Sequence, residues 1–201
     1  GVAYYLCDHL ADAAEVVRLL GWRRFSLMGH SMGAGIATWY AGTFARQVER
    51  LVLISVLGET FSMESDSLPG YLHKAIRRRI LARQSPVARF AAGDQRQFSS
   101  FDEAVAERRN GKFGQLTDEA AAILLHRGLE PVEGGYRWRN DPRLTLPAYM
   151  EPNEATIHAF IREVAAPTWL ILGEEGLFGK GEKAERLQSF RQLELHRIPG
   201  D

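Results

Sequence analysis

The segment Gly29-His30-Ser31-Met32-Gly33 constrains this chain more than any other feature, because it fits the pattern G-x-S-x-G. It overlaps a short apolar run, RFSLMG, and leads into MGAGIATWYAGTFA, which is rich in small residues. An apolar run closed by glycine predicts a buried strand, and small residues let a helix lie close against a sheet. The sequence therefore predicts a strand, a sharp turn and a helix, with the serine on the turn.

This turn predicts a specific chemistry. Ser31 would lie at the carboxyl end of the strand, where ligands bind in open α/β sheets, and we expect it to act as a nucleophile. The start of the following helix offers N–H groups and a positive partial charge, so the backbone N–H of Met32 is a predicted oxyanion donor. Gly29 and Gly33 are expected to prevent collisions on the crowded turn, and His30 to shape the pocket rather than act as the base. The alternative is a glycine-rich turn with an incidental serine.

Two further apolar runs predict a parallel sheet. LVLIS, residues 51–55, and TWLILG, residues 168–173, do not alternate, as expected for strands covered on both faces. The sequence between them reads mainly as helices and is too long for a loop, so we predict a helical cap. Within it, EPVEGGYRWRNDPRLTLP is predicted to be either a hairpin or an extended loop. The predicted domains are a first core part (1–58), a cap insertion (59–166) and a second core part (167–201).

Composition limits the possible partners and ligands. The 25 basic and 25 acidic side chains cancel, so no overall field would gather nucleic acid, and we expect a small-molecule substrate that is recognised locally. The one cysteine, Cys7, cannot close an intrachain disulfide. No metal-ligand spacing and no phosphate-binding glycine loop is visible, so no metal and no cofactor is expected. No apolar run approaches the roughly 20 residues that span a bilayer, and we expect a cytoplasmic protein. The oligomeric state is not predicted.

Four segments carry a family resemblance: LGWRRFSLMGHSMGAGIA, VERLVLISVLG, APTWLILGEEGLF and LHRIPGD. They resemble the α/β-hydrolase fold superfamily, and with the cap sequence YRWRNDPRL they are most similar to the serine hydrolase-like family. The resemblance implies a mostly parallel sheet flanked by helices, with a helical cap, and a Ser-His-acid triad. It also implies that the first strands and a second oxyanion donor precede Gly1, and that the base histidine follows Asp201. We therefore expect a chain that is incomplete at both ends and inactive alone.

The acid of the triad is ambiguous. The resemblance places it three residues after Gly173, where this sequence has Gly176. We predict Glu175 as the acid, with Glu174 and Glu59 as alternatives; each has a solvated surface role as its competing interpretation. No base is assigned among the histidines: His196 lies within the alternating strand LELHRI, and surface or packing roles are expected for His73, His126 and His158 in predicted cap helices.

Two other groups of side chains have open interpretations. The basic residues are predicted to form a solvated helix face, with recognition of a carboxylate or phosphate as the alternative. The aromatic residues are predicted to line an apolar acyl pocket or to belong to the core. The basic group is Lys74, Arg77, Arg78, Arg79 and Arg83; the aromatic group is Tyr136, Trp138, Tyr149 and Phe178.

These features predict a serine hydrolase that acts on an ester or thioester of a small molecule. A serine nucleophile disfavours dehalogenation and epoxide opening, which need an aspartate at that position in this fold. Hydrolysis of an amide or a carbon–carbon bond is an alternative on the same fold. A binding protein without turnover is another alternative, and Gly176 at the usual acid position favours it.

Overall fold

The computed structural model describes residues 4–56, 67–84, 97–111, 116–175 and 184–200. Its helices are α1 (Leu6–Leu20), α2 (Met32–Thr43), α3 (Leu68–Gln84), α4 (Phe101–Arg109), α5 (Asp118–Gly128), α6 (Glu154–Glu163) and α7 (Ala184–Ser189). Its strands are β1 (Phe25–His30), β2 (Val48–Ile54), β3 (Gln97–Phe98), β4 (Leu129–Val132), β5 (Gly135–Trp138), β6 (Thr168–Gly173) and β7 (Leu193–Ile198). No described helix is long and apolar enough to cross a bilayer.

The chain divides into two compact units. The sheet unit comprises Tyr4–Pro69 and Met150–Asp201, and the hairpin unit comprises Gly70–Tyr149. The sheet unit contains the predicted strand, turn and helix around Ser31, and the hairpin unit contains most of the sequence that was predicted as a cap.

A four-stranded parallel sheet, in the order β1-β2-β6-β7, forms the centre of the sheet unit. His30 at the end of β1 pairs with Ile54 at the end of β2, and Ile54 pairs with Ile171 of β6. Gly173 at the end of β6 pairs with Ile198 of β7. Because all four strands run in the same direction, their carboxyl ends lie along one edge. The predicted parallel sheet is confirmed.

Small residues bring α2 close to its neighbours. Its buried face includes Ala34, Ala37 and Ala41. A Cβ added at Gly42 would lie 2.5 Å from the backbone oxygen of Phe160 in α6. Phe160 also stacks on Trp39, with ring centroids 4.2 Å apart. α2 therefore packs directly on α6.

The hairpin unit contains a three-stranded antiparallel sheet in the order β3-β5-β4. β4 and β5 form a hairpin, in which Leu129 pairs with Trp138 and Val132 pairs with Gly135. Gly134 and Gly135 have φ angles of 85° and 147°, which glycine adopts without steric cost. Of the two structures predicted for this segment, the hairpin is the one that forms.

The core of the hairpin unit accounts for two of the four aromatic residues. Tyr136 and Trp138 pack against a buried cluster that includes Phe98 and Leu125. The core interpretation therefore applies to these two rings. Phe178 lies outside the described residues.

Arg79 does not belong to the solvated face that the basic cluster predicted. Its side chain is 7% exposed, its Nε donates a hydrogen bond to the backbone oxygen of Pro147 at 2.9 Å, and its guanidinium lies 4.6 Å from the centre of the Tyr149 ring. Tyr71 donates a hydrogen bond to the backbone oxygen of Ala148 at 3.0 Å. α3 thus holds residues 147–149 in place. Lys74, Arg77 and Arg78 are exposed as predicted, and the side chain of Arg83 lies outside the described residues.

The predicted domain limits of 1–58, 59–166 and 167–201 stay predictions. α6 lies between residues 59 and 166, yet it belongs to the sheet unit, where Ile157 and Ile161 are buried in the main core. The hairpin unit ends before this helix, at Tyr149.

Candidate active site

Ser31 joins β1 directly to α2 on a tight turn. Its φ of 52° and ψ of −123° are uncommon for a residue other than glycine. Its N–H donates a hydrogen bond to the backbone oxygen of Ile54 at 3.0 Å, and its own backbone oxygen accepts one from the N–H of Ala34 at 2.8 Å. The sheet therefore holds one side of the peptide backbone and the first turn of the helix holds the other, with the serine at the carboxyl edge of the sheet.

The two glycines of the turn have different roles. A Cβ at Gly29 would lie 2.2 Å from the backbone oxygen of Gly33 and 2.7 Å from the backbone nitrogen of Ala34, which no side chain could tolerate. A Cβ at Gly33 would meet nothing within 4 Å. The expectation that both glycines prevent collisions therefore applies to Gly29 alone. The backbone of Gly33 is the group with which a side chain at Gly29 would collide, whereas a side chain at Gly33 would collide with nothing.

The first N–H of α2 is available at this turn. Met32 is the first helical residue, and within the described ranges its backbone N–H has no hydrogen-bond acceptor. The side chain of Ser31 does not cap the helix. Unpaired N–H groups at the start of a helix attract negative charge. This geometry can receive an anionic oxygen next to Ser31. The side chain of His30 is exposed beside it.

Two of the three carboxylate candidates lie at the same sheet edge. Glu174 and Glu175 follow β6 directly and are exposed. Their backbone N–H groups donate to the oxygens of Ile198 and Gly200, each at 2.9 Å, and so continue the pairing with β7. β6 is two strands from β1, which corresponds to about 10 Å across the sheet. That separation leaves room for one imidazole between Ser31 and a glutamate side chain. Glu59 and Gly176 lie outside the described residues.

The histidines without an assigned role have contacts of other kinds. His158 Nδ1 lies 2.7 Å from the hydroxyl of Ser189, and its Nε2 lies 3.9 Å from Glu154. His196 Nε2 lies 2.9 Å from Glu194. In the hairpin unit, the His126 ring packs 5.0 Å from Phe101, and His73 is exposed. For His73, His126 and His158, these contacts match the surface and packing roles expected from the sequence.

Ser55, which the apolar run LVLIS predicts only as part of a strand, also lies at this edge. Ser55 follows β2 and has a φ of 70°. Serine has no strong preference for positive φ, so nothing in the apolar run LVLIS signals this conformation.

Among the described residues, no group of three or more histidine, cysteine or acidic side chains could hold a metal ion.

The comparisons with known proteins agree with this architecture. A family model described as the α/β-hydrolase fold matches residues 2–144, and the chain therefore belongs to the α/β-hydrolase fold family. More particularly, it is similar to curated proteins named serine hydrolase-like. One, from Dictyostelium discoideum, is 29% identical over 84% of this chain and 46% of its own length. Another, from Danio rerio, is 29% identical over 89% of this chain and 52% of its own length.

A solved structure has the same fold over the whole chain. The crystal structure of a hypothetical protein from Pseudomonas aeruginosa PAO1 is 36% identical, with a TM-score of 0.86, and the match covers 100% of this chain and 67% of that protein. The chain spans about half the length of the two curated relatives.

Proposed function

We propose that this protein is a serine hydrolase that acts on a small-molecule ester or thioester. The observation that carries the proposal is the turn at Ser31, where a serine with a φ of 52° lies between the end of β1 and the start of α2, whose first N–H has no hydrogen-bond acceptor among the described residues. Backbone strain of this kind clusters at functional sites. The serine hydrolase-like relatives support the hydrolase class.

In the proposed reaction, the Ser31 hydroxyl attacks the carbonyl carbon of the substrate and a histidine accepts its proton. The backbone N–H of Met32 donates a hydrogen bond to the oxyanion that forms. The histidine then returns the proton to the departing alcohol or thiol, leaving an acyl group on Ser31. Water then loses a proton to the same histidine and attacks the acyl carbon; the bond from that carbon to Ser31 Oγ breaks, the histidine returns its proton to Ser31, and the carboxylic acid is released. None of the six histidines in the sequence is assigned as this base.

A carboxylate is needed to hold the base and to stabilise its charged form. We propose Glu175, with Glu174 and Glu59 as alternatives. Glu175→Gln keeps the shape of the side chain and removes its charge, so we expect a loss of kcat of about 10³-fold or more, by analogy with carboxylate loss in other triads. Glu174→Gln is the matched control and should retain activity. A selective loss in Glu174→Gln would assign the acid to that neighbour, and no loss in either variant would direct the test to Glu59→Gln.

The first test of the proposed function is covalent labelling with a fluorophosphonate, which reacts with activated serines. It should be performed on this chain and on the longest natural product of the gene that encodes it. Ser31→Ala should abolish labelling, because the reacting oxygen is gone. Ser26→Ala is the matched control, since Ser26 is an exposed serine of β1, the strand that precedes the turn. It should label like the wild-type protein, and the adduct should map to the peptide containing Ser31.

Two results would contradict the proposal. If the longest natural product of the gene folds but does not react, or if its Ser31→Ala variant still labels, Ser31 is not an activated nucleophile. The binding protein without turnover, which Gly176 at the usual acid position favours, would then replace the hydrolase. If labelling succeeds, the rates with matched esters, thioesters, amides and carbon–carbon bond substrates separate the remaining reactions.

A further inference from the structure

Two serines at the sheet edge share an unusual backbone. Among the described residues other than glycine, Ser31 and Ser55 are the ones with positive φ, at 52° and 70°. Each follows the last residue of its strand, and those last residues, His30 and Ile54, pair with each other. Neighbouring strands are about 4.8 Å apart, so the two serines lie side by side at the carboxyl ends of β1 and β2.

The backbone of Ser55 is held in this conformation by the sheet. Its N–H donates a hydrogen bond to the backbone oxygen of Ile171 at 2.9 Å, which extends the pairing of β2 with β6 by one residue. Glycine adopts positive φ freely, and asparagine and aspartate adopt it more readily than serine. A serine at this position is therefore unfavourable for the backbone alone, and the reason for it must be sought in the side chain.

The hydroxyl of Ser55 has no structural role among the described residues. It is half-buried, and within those ranges it forms no hydrogen bond with another side chain or with the backbone. Half-buried hydroxyls normally have a partner, which can be a ligand or water. Strained residues with polar side chains cluster at binding and catalytic sites.

We infer that Ser55 is a substrate-contacting residue, whose hydroxyl donates a hydrogen bond to an acceptor oxygen near the reacting carbonyl. This inference rests on the proposed function of Ser31. Because Ser55 lies about one strand spacing from the nucleophile, the substrate class is an ester or thioester whose acyl group carries an ether, hydroxyl or oxo oxygen close to the carbonyl. A plain alkyl acyl group has no acceptor besides the carbonyl oxygen, which the proposed reaction places at the Met32 N–H, so Ser55 selects between the two kinds of acyl group.

The test compares two p-nitrophenyl esters of similar size, the methoxyacetate with an acceptor oxygen and the butyrate without one. Ser55→Ala removes the hydroxyl but keeps the Cβ. Its kcat/KM for the methoxyacetate should fall about tenfold or more, the usual effect of losing a hydrogen bond to a substrate, whereas kcat/KM for the butyrate should change little. Ser55→Asn keeps a donor and tolerates positive φ, so it should restore part of the preference. Ser26→Ala should behave like the wild-type protein with both esters.

Ser55→Gly separates the substrate contact from backbone strain. Glycine removes the hydroxyl and relieves the strained φ, so its Tm should equal or exceed that of the wild-type protein while the preference for the methoxyacetate is lost. If Ser55→Ala does not fold, Ser55→Gly tests the inference in its place. A folded Ser55→Gly variant that still prefers the methoxyacetate to the butyrate as the wild-type protein does would overturn the inference.

Fluorophosphonate labelling of each variant identifies which claim fails. If the wild-type protein labels at Ser31 but the Ser55 variants treat both esters as the wild-type protein does, the proposed function stands and the role of Ser55 is wrong. If the longest natural product of the gene folds but does not label, the proposed function fails and the role of Ser55 fails with it.

Discussion

At the scale of single residues, Gly29 and Gly33 make a matched pair for testing how the turn is built. Gly29→Ala introduces a Cβ 2.2 Å from the backbone oxygen of Gly33, so β1 and α2 must move apart at the turn that holds Ser31. Overpacking of this kind lowers the free energy of unfolding by about 1 to 3 kcal/mol. The displaced turn should also no longer hold the Ser31 hydroxyl in the position from which it reacts with a substrate or probe. We expect a lower Tm by calorimetry and a loss of fluorophosphonate labelling.

Gly33→Ala is the control, because its Cβ meets no atom within 4 Å. Alanine is favoured over glycine within a helix by up to about 1 kcal/mol, so stability should be unchanged or slightly higher, and labelling should persist. Equal effects of the two substitutions on Tm and labelling would mean that the collision at Gly29 does not control the turn.

The sequence predicted local structure well at residues whose surroundings are formed by their neighbours in the chain. The pattern around Ser31 needs only the strand and the helix that adjoin it, and the structure places it between β1 and α2. Arg79 is different, because its partners at Pro147 and Tyr149 are far along the chain and no local pattern indicates them. Ser55 is also different, since its positive φ is set by the pairing of β2 with neighbouring strands.

At the scale of elements, α2 and α6 pack closely against each other at Gly42. Gly42→Ala would place a Cβ 2.5 Å from the backbone oxygen of Phe160, and a helix backbone cannot move without disturbing the Trp39–Phe160 stack. The gain in helix propensity is about 1 kcal/mol and opposes an overpacking cost of about 1 to 3 kcal/mol. We therefore expect a net loss of up to about 2 kcal/mol in the free energy of unfolding, measured with urea.

Gly33→Ala serves as the control here too, because it makes the same chemical change in the same helix without the collision. Gly42→Ala should be less stable than Gly33→Ala, and the near-ultraviolet circular dichroism of the stacked rings should change only in Gly42→Ala. Equal stability of the two variants would show that α6 can move away from α2 at little cost.

The elements themselves were largely predictable, because apolar runs identify buried strands. β6 coincides with the run TWLILG, whereas β1 is shifted by one residue from RFSLMG and β2 begins three residues before LVLIS. The order of strands in the sheet depends on pairing between distant segments, and only the structure shows it. The segment around Gly134 and Gly135 was predicted as a hairpin or a loop, since glycines suit both, and only the observed pairing of β4 with β5 identifies the hairpin.

At the scale of the whole molecule, the sequence placed residues 150–166 in the cap, whereas the structure places them in the sheet unit. The physical reason is that an apolar helix face does not specify its partner. Ile157 and Ile161 of α6 show helical spacing in the sequence, but only the structure shows that they are buried in the core of the sheet unit. The extent of a compact unit is set by such contacts.

The unfolding of the molecule should depend on Tyr40 at alkaline pH. Its side chain is 2% exposed, its hydroxyl donates a hydrogen bond to Gln47 at 2.7 Å, and burial raises the pKa of Tyr40 above the ordinary value of 10.0. In the folded protein Tyr40 therefore keeps its proton at a pH at which the unfolded chain has lost it. This contribution to stability is fully present below pH 10, and it is lost as the pH rises from the unfolded pKa through the folded one.

Tyr40→Phe removes the ionisable group and tests this dependence directly. The free energy of unfolding of the wild-type protein should fall more steeply above pH 10 than that of Tyr40→Phe, although the variant is less stable at neutral pH because Gln47 loses its hydrogen-bond donor. Tyr136→Phe, which removes a hydroxyl from the hairpin unit, controls for the general effect of the substitution. Urea titrations at a series of pH values give both slopes. Parallel curves for the wild-type protein and Tyr40→Phe would mean that the phenol ionises equally well in the folded and unfolded states, and the buried position of Tyr40 would then have no influence on alkaline unfolding.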